Sequence, residues 1–383
     1  MPTIAITGAS GKLGGATLAG ILAHHEKLLP PPSSSHLLSI IALTSSRPGS
    51  ATWDRLLATA ATTNDSNGSD GGEGGGDDDR KVRVEVRHAS FEDPASFEAA
   101  LEGVDRFFLV STPHIALDFE DDEEEKGEGG EGKKKARAGR ETHHRVAIDA
   151  AVRAGVGHVV YASLAYAFSS SSSGAGSGSG SGLGSGLGSS KAAVMRAHLR
   201  TEEYLGQLER EGKLARVTIV REGLYSESWP LYLGYFGSDG VDEREEVVVA
   251  GDGKVCWTGI GDLGVACAVV LLAPGDEEKG RTLFYLSTRP AAARSLKEIA
   301  GLVGEARGKE VRVKIVDKEE YVRHYVEERG RERPAVRWWA STYEALEDGE
   351  CLVDDPTLEA LLERVGVRPT SIEETVRAMV KKL

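Results

Sequence analysis

An α/β fold built around a doubly wound parallel sheet is predicted by three features of the chain. The first is the opening segment. A short β-branched run, Thr3 to Thr7, passes through Gly8-Ala9-Ser10-Gly11-Lys12-Leu13-Gly14 into a helical pattern. The second is the alternation of strand-like and helix-like segments from Thr3 to Val220. The third is size: 383 residues, 40% of them hydrophobic, provide for a large core and for one large or two modest domains.

Thr3 to Thr7 is the first strand, and Leu13 to Leu22 reads as the helix after it. Leu37 to Thr44 is the second strand and Val82 to Val86 the third. Pro94 to Glu102 has the pattern of a short amphipathic helix, and Arg106 to Val110 is the fourth strand. Glu141 to Ala154 is a helix with apolar Val146, Ile148, Ala150 and Ala151, stopped by Gly155-Val156-Gly157. His158 to Ser163 is the fifth strand. A helix over about Lys191 to Glu211 leads to the sixth, Ala215 to Val220. Helical spacing returns at Leu296-Ile299-Ala300-Leu302-Val303, at Leu358-Leu361-Leu362-Val365 and at Ile372-Val376-Met379-Val380. These read as packed helix faces.

Four polar segments interrupt the pattern: Pro30 to Ser35, Thr62 to Asp79, Glu120 to Lys135 and Ser169 to Ser190. Their Ser, Gly, Asp and Glu content buries too little apolar surface to offset the entropy of ordering. Each falls at a junction between elements, where insertions are tolerated, and each reads as a solvated loop.

Composition narrows the functional classes. A net charge of −14 argues against non-specific binding to nucleic acid or to an anionic membrane. Three cysteines, Cys256, Cys267 and Cys351, have no metal-ligand spacing and make no disulfide framework, which suits a reducing, cytoplasmic compartment. No metal site is expected. A strand begins at Thr3 without a charged and apolar leader, and no run of eighteen apolar residues occurs.

The glycine-rich turn carries the chemistry. Gly8 permits a tight turn, Gly11 lets a diphosphate approach the backbone, and Gly14 lets the helix pack close to the strand. Free N–H groups at the helix start then face the phosphates. This is the Rossmann dinucleotide pattern, with Ser10, Lys12 and Leu13 in the same cofactor-binding turn. The second strand ends Thr44-Ser45-Ser46-Arg47, with no acid to bind a ribose 2′-OH. Arg47 suits a 2′-phosphate instead, so the expected cofactor is NADPH. Thr112 and Pro113, after the fourth strand, and Ser163, at the end of the fifth, are expected to border the cofactor crevice.

Further stretches carry a family resemblance. They are His144-Arg145 with Ala154-Gly155-Val156, Tyr161-Ala162-Ser163-Leu164, His198-Leu199-Arg200-Thr201-Glu202, Arg221 to Glu227, Ala250 to Lys254 and Val353 to Leu358. With the glycine turn, and in this order, they resemble the NmrA-like atypical short-chain dehydrogenases, and among these the type-2 NAD(P)H:quinone oxidoreductases. The resemblance spans the chain outside the four insertions. It implies a cofactor-binding Rossmann core over 1–223 and a smaller substrate lobe over 224–383, some of whose segments return to the core.

The Tyr-Lys pair of orthodox short-chain dehydrogenases is absent, because neither Tyr161 nor Tyr166 has a Lys four residues later. The resemblance places His198 at the reductases' spacing before Glu202, as a candidate proton donor. Ser163 and Tyr166 are further catalytic candidates. Tyr225 offers a flat face to an aromatic substrate. The reductases read Arg-Asn-Gly where this chain has Arg221-Glu222-Gly223. A carboxylate cannot donate to a carbonyl as an amide does, unless burial keeps Glu222 protonated.

The expected function is therefore NADPH-dependent hydride transfer to quinones or related conjugated carbonyls. Two alternatives stand beside it: a non-catalytic, NADP-binding redox regulator, and an imine or enone reductase of secondary metabolism. The expected partner is a small molecule, with a homodimer or a regulatory protein partner also compatible.

Overall fold

The computed structural model describes residues 2–29, 37–66, 82–112, 114–115, 139–168, 189–236, 243–273 and 280–381. Pro113 and most of the four polar insertions lie outside them.

The main sheet has seven strands, all parallel, in the order β3-β2-β1-β4-β5-β6-β8. These are β1 (Thr3–Ile6), β2 (Leu38–Thr44), β3 (Val82–His88), β4 (Arg106–Leu109), β5 (His158–Leu164), β6 (Arg216–Glu222) and β8 (Gly280–Leu286). A second, two-stranded parallel sheet pairs β7 (Glu246–Val249) with β9 (Arg312–Ile315).

Helices cover both faces. On one lie α1 (Lys12–Leu28), α7 (Ile260–Leu272) and α11 (Thr357–Glu363). Here α1 and α7 touch through glycines: a Cβ on Gly264 would stand 2.5 Å from the Ala16 carbonyl carbon. The other face holds α3 (Pro94–Ala100), α4 (Arg140–Arg153) and α5 (Ala193–Arg210). The central strands between them are buried on both sides, which is why β1, β2, β4 and β5 read as largely apolar runs, whereas the edge strand β3 alternates and exposes Arg83 and Glu85.

A separate core belongs to the C-terminal part. It joins α6 (Trp229–Tyr232), α8 (Leu296–Arg307), α9 (Lys318–Arg323), α10 (Arg333–Glu347) and α12 (Ile372–Val380) around Trp229, Trp257, Tyr321, Tyr325 and Tyr343. Segments after Gly223 also return to the first core, since β8 extends the main sheet and α7 packs on α1.

Several elements are absent from the sequence reading, β7, β9, α6, α7, α9 and α10 among them, and two further departures bear on the main sheet. Helix α2 (Ala51–Ser66) fills the stretch after β2 and runs into the segment read as an insertion from Thr62. Only Leu56 and Ala60 of it are buried among the hydrophobic residues, so its apolar signal is weak. The seventh strand, β8, was also not expected. Its pairing partner β6 lies far upstream in sequence, which leaves no local cue. The described stems of the Ser/Gly insertion are held by Glu350, whose carboxylate accepts from Ala167 N at 3.0 Å and Lys191 N at 2.8 Å. Among the described residues, no helix is long and apolar enough to cross a membrane.

Candidate active site at the reversal of strand order

Strand order reverses between β1 and β4, and in such sheets the ligand crevice opens beyond the carboxyl ends of those strands. A cleft of about 680 Å³ lies there. Thr7, Gly8 and Ser10 line it from the turn after β1. Leu43 to Ser45 and Arg47 line it from the end of β2, and Val110, Ser111 and Thr112 from the end of β4.

The glycine turn has the geometry its sequence implies. Gly8 has φ of +60°, a conformation that favours glycine. A Cβ on Gly14 would stand 2.4 Å from the Gly8 carbonyl oxygen and 2.6 Å from that of Thr7, so α1 packs directly against the turn. Gly11 is the N-cap of α1 and has no side-chain cap. Its successor Lys12 is exposed, whereas the Leu13 side chain is buried in the core. Ser10 Oγ lies 3.4 Å from Thr44 Oγ1, tying the glycine turn to the end of β2. Arg47 is exposed beside them, and the residues from Thr44 to Arg47 include no acid.

Behind Ser111 and Thr112 lies a buried polar cluster. Helical spacing aligns its members: Arg140 and His144 share one face of α4, as His198, Thr201 and Glu202 share one face of α5. Arg140 Nε donates to the Thr112 carbonyl at 3.0 Å, and Arg140 Nη1 lies 3.3 Å from His198 Nε2. His198 Nδ1 is 2.7 Å from the Tyr161 hydroxyl, which lies 3.3 Å from His144 Nδ1. His144 Nε2 reaches Ser111 Oγ at 3.2 Å. Burial holds both imidazoles below the ordinary histidine range, with the Arg140 charge adding to it; His144 falls to about 3. Both are neutral near pH 7. Burial also pushes the Tyr161 hydroxyl well above its usual range.

The three catalytic candidates occupy different surroundings. His198 has both ring nitrogens engaged and is 1% exposed. Ser163 Oγ donates to Glu202 Oε1 at 2.6 Å. That carboxylate also receives Arg221 Nε at 3.0 Å and Nη2 at 2.7 Å, a bidentate pair buried beside β5 and β6. Tyr166 lies in the C-terminal core, its hydroxyl 2.8 Å from that of Tyr232. None of the three lines the cleft. Of the cofactor candidates, Gly8, Ser10, Arg47 and Thr112 do line it, and Pro113 is outside the described residues.

Glu222 ends β6 with its carboxyl buried. It accepts from the Tyr225 hydroxyl at 2.8 Å and faces Cys267 Sγ at 3.8 Å. Burial raises its pKa to about 8, against the hydrogen bonds from Tyr225 and Cys267. The group is therefore largely protonated at pH 7, which restores the donor capacity an amide has at this position. The linkage has a definite sign. Unfolded Glu222 ionises above its ordinary value of 4.5, whereas burial lets the folded carboxyl hold its proton to about 8. Its contribution to stability is full below pH 4.5 and is lost as pH rises toward 8. Glu222→Gln should remove that component. In urea titrations, stability of the variant relative to the parent should rise across this window. A constant difference would show that Glu222 is ionised in the fold.

The sequence reading missed Ser111 and Arg140 and treated His144 and Tyr161 only as parts of longer motifs. The Arg140–His144 and His198–Thr201–Glu202 spacings were the available signal.

Comparison with known proteins supports the architecture. No family model matches the chain. It is 26% identical over 290 residues to an NmrA-like family domain-containing oxidoreductase of Aspergillus flavus, covering 75% of this chain and 78% of that one. The chain is a relative of NmrA-like oxidoreductases. It is also 26% identical over 198 residues to quinone oxidoreductase 2 of Escherichia coli, about half of each chain (51%). Among solved structures, the fold matches Citrobacter sp. triphenylmethane reductase complexed with NADP(H), with a TM-score of 0.61 and 21% identity over 98% of this chain and 99% of that one. The NADPH complex of the Escherichia coli NADPH-dependent quinone oxidoreductase matches with a TM-score of 0.60 and 21% identity, over 98% of this chain and 99% of that one.

Proposed function

We propose that this protein is an NADPH-dependent reductase that transfers hydride to quinones or related conjugated carbonyls. The observation that carries the reading is the cleft at the β1/β4 reversal, where Gly8 and Ser10 meet Arg47 with no carboxylate at the end of β2. These residues fit the cofactor. Gly8, Ser10 and the N–H groups that open α1 would take the diphosphate, and Arg47 would take the 2′-phosphate. Bound NADPH supplies the hydride; the protein binds and orients it and excludes water. Ser111 and Thr112 line the same cleft, Ser111 Oγ lying 3.2 Å from Nε2 of the buried His144 and Thr112 Oγ1 3.3 Å from Nδ1 of the half-buried His143.

The names of the relatives point the same way, since they include a quinone reductase and an NmrA-like oxidoreductase. The deciding experiment is NADPH oxidation by the purified chain across quinones, enones and imines. Tight NADPH binding with no turnover on any of them would replace the enzyme by a redox-sensing regulator. Turnover of imines alone would select the secondary-metabolism reading.

Arg47→Ala tests the cofactor assignment. A charge-assisted contact contributes about 1.5–3 kcal/mol, so NADPH affinity should fall roughly 10- to 100-fold while NADH affinity stays unchanged. Calorimetric titration of both cofactors reads this directly. An unchanged preference would remove Arg47 from the site.

A further inference from the structure

We propose that Arg140 makes the dinucleotide site select the reduced cofactor, because its guanidinium charge opposes the positive nicotinamide ring of NADP⁺ and not the neutral ring of NADPH. This rests on the NADP(H) site described above and holds with or without turnover.

The sheet decides which half of the cofactor meets Arg140. A doubly wound sheet binds a dinucleotide across its reversal, with one mononucleotide over each half of the strand order. Arg47, just past β2, would take the 2′-phosphate, so the adenosine half belongs to β1, β2 and β3. The nicotinamide half then belongs to the ends of β4, β5 and β6. Arg140 opens α4 on that side. Its Nε donates to the Thr112 carbonyl, just after β4, at 3.0 Å, and its Nη1 to His198 Nε2 on α5 at 3.3 Å. The hydroxyls of Tyr161, on β5, and of Tyr225, just after β6, face it as well.

No counter-charge accompanies it. Among the described residues no carboxylate pairs with Arg140. Burial lowers its pKa, and what opposes that shift is the two tyrosine hydroxyls. The guanidinium still keeps its charge at pH 7. The neighbouring acids are committed elsewhere. Glu141 lies 3.6 Å from Arg145 and 3.3 Å from Arg200, and Glu202 is held by Arg221. Glu222 keeps its proton to about 8. His144 and His198 are buried and neutral. The cluster behind Thr112 therefore presents a cation to the nicotinamide half, in surroundings that screen charge less than water does.

The two redox forms differ at that end alone. Their phosphates and adenosine are the same, so the attraction of Arg47 and of the N–H groups that open α1 cancels from the ratio of affinities. Loss of hydride, one hydrogen nucleus with two electrons, leaves the ring with a single positive charge. A fixed cation in this half should disfavour that form roughly 10-fold, or about 1.4 kcal/mol. For a two-electron couple the same factor raises the midpoint potential of the bound pair by about 30 mV. A reductase gains by it, because spent NADP⁺ leaves and NADPH takes its place.

Calorimetric titration of the full chain at pH 7 with NADPH and with NADP⁺ reads the ratio of the two dissociation constants. The parent should bind NADPH roughly 10-fold more tightly. Arg140→Met should bring the two forms to within about 2-fold of each other, whatever happens to either affinity alone. Arg140→Gln, which keeps a donor for the Thr112 carbonyl, should do the same. Arg140→Lys, which keeps the charge, should preserve the parent ratio. Arg47→Ala should weaken both forms alike and leave the ratio unchanged. Melting temperatures report that each variant is folded. A role confined to holding Thr112 and His198 in place would lower both affinities together and leave the ratio at its parent value in Arg140→Met and Arg140→Gln, which overturns the proposal. Equal affinities in the parent overturn it too, as does Arg140→Lys behaving like Arg140→Met. A parent that binds neither form overturns the cofactor site and this proposal together. The expected ratios without turnover of any acceptor support the proposal and overturn the reductase reading.

Discussion

Gly14→Val is expected to abolish NADPH binding and to destabilise the fold by about 3 kcal/mol, the upper range for forcing volume into a packed site. The added carbon would stand 2.4 Å from the Gly8 carbonyl oxygen and 2.6 Å from that of Thr7. Both are backbone atoms at the end of a buried strand, so relief requires α1 to move off β1. That displacement carries the helix start away from the phosphates it would hold, and affinity and stability fall together. Gly261→Ala, in the first turn of α7 with nothing within 4 Å of the added carbon, is the control and should be neutral or slightly stabilising. Urea unfolding and calorimetric titration measure both. Parent-like stability and affinity in Gly14→Val would remove the close-packed turn from the argument.

Breaking the Arg221–Glu202 pair should be the most destabilising change outside the cleft. Glu202 is fully buried, its partner is nearly so, and they meet through two bonds of 3.0 and 2.7 Å. Glu202→Ala strands a guanidinium in a low-dielectric interior, and removing one member of such a pair costs about 3–5 kcal/mol. Tyr285 still accepts from Arg221 Nη1 at 2.9 Å and offsets a part of this. Replacing both charges with methionine should recover most of the loss, since the pair's own desolvation is then avoided. A double-mutant cycle in urea separates the terms. A Glu202→Ala loss below about 1 kcal/mol, as for an exposed pair, would sink this account. Ser163 donates to the same carboxylate, so Ser163→Ala should lower stability and leave kcat alone.

Local pattern determined the first six strands, the glycine turn and most of the flanking helices. Each depends on residues within one element, where apolar periodicity and a few glycines suffice. Arg47 was legible for the same reason, standing a fixed distance past a recognisable strand. Helix α2 was not, because its buried side is narrow, and β8 was not, because its partner β6 lies across the α6, β7 and α7 segments.

The working surroundings of the site were decided only by tertiary structure. Ser111, Arg140, His144, Tyr161 and His198 come from the end of β4, from α4, from β5 and from α5, and no sequence period links them. They meet because β4 pairs with β5 and both helices pack on the same face of the sheet. That packing buries His198 between Arg140 and Tyr161, so a residue chosen from its spacing as a proton donor is held neutral with both nitrogens occupied. Tyr166 follows the fifth strand by only two positions, yet its hydroxyl meets Tyr232 in the other core. A sequence shows which residue types are available near a strand end. Which of them face the cleft depends on how desolvation and packing between distant elements orient each side chain.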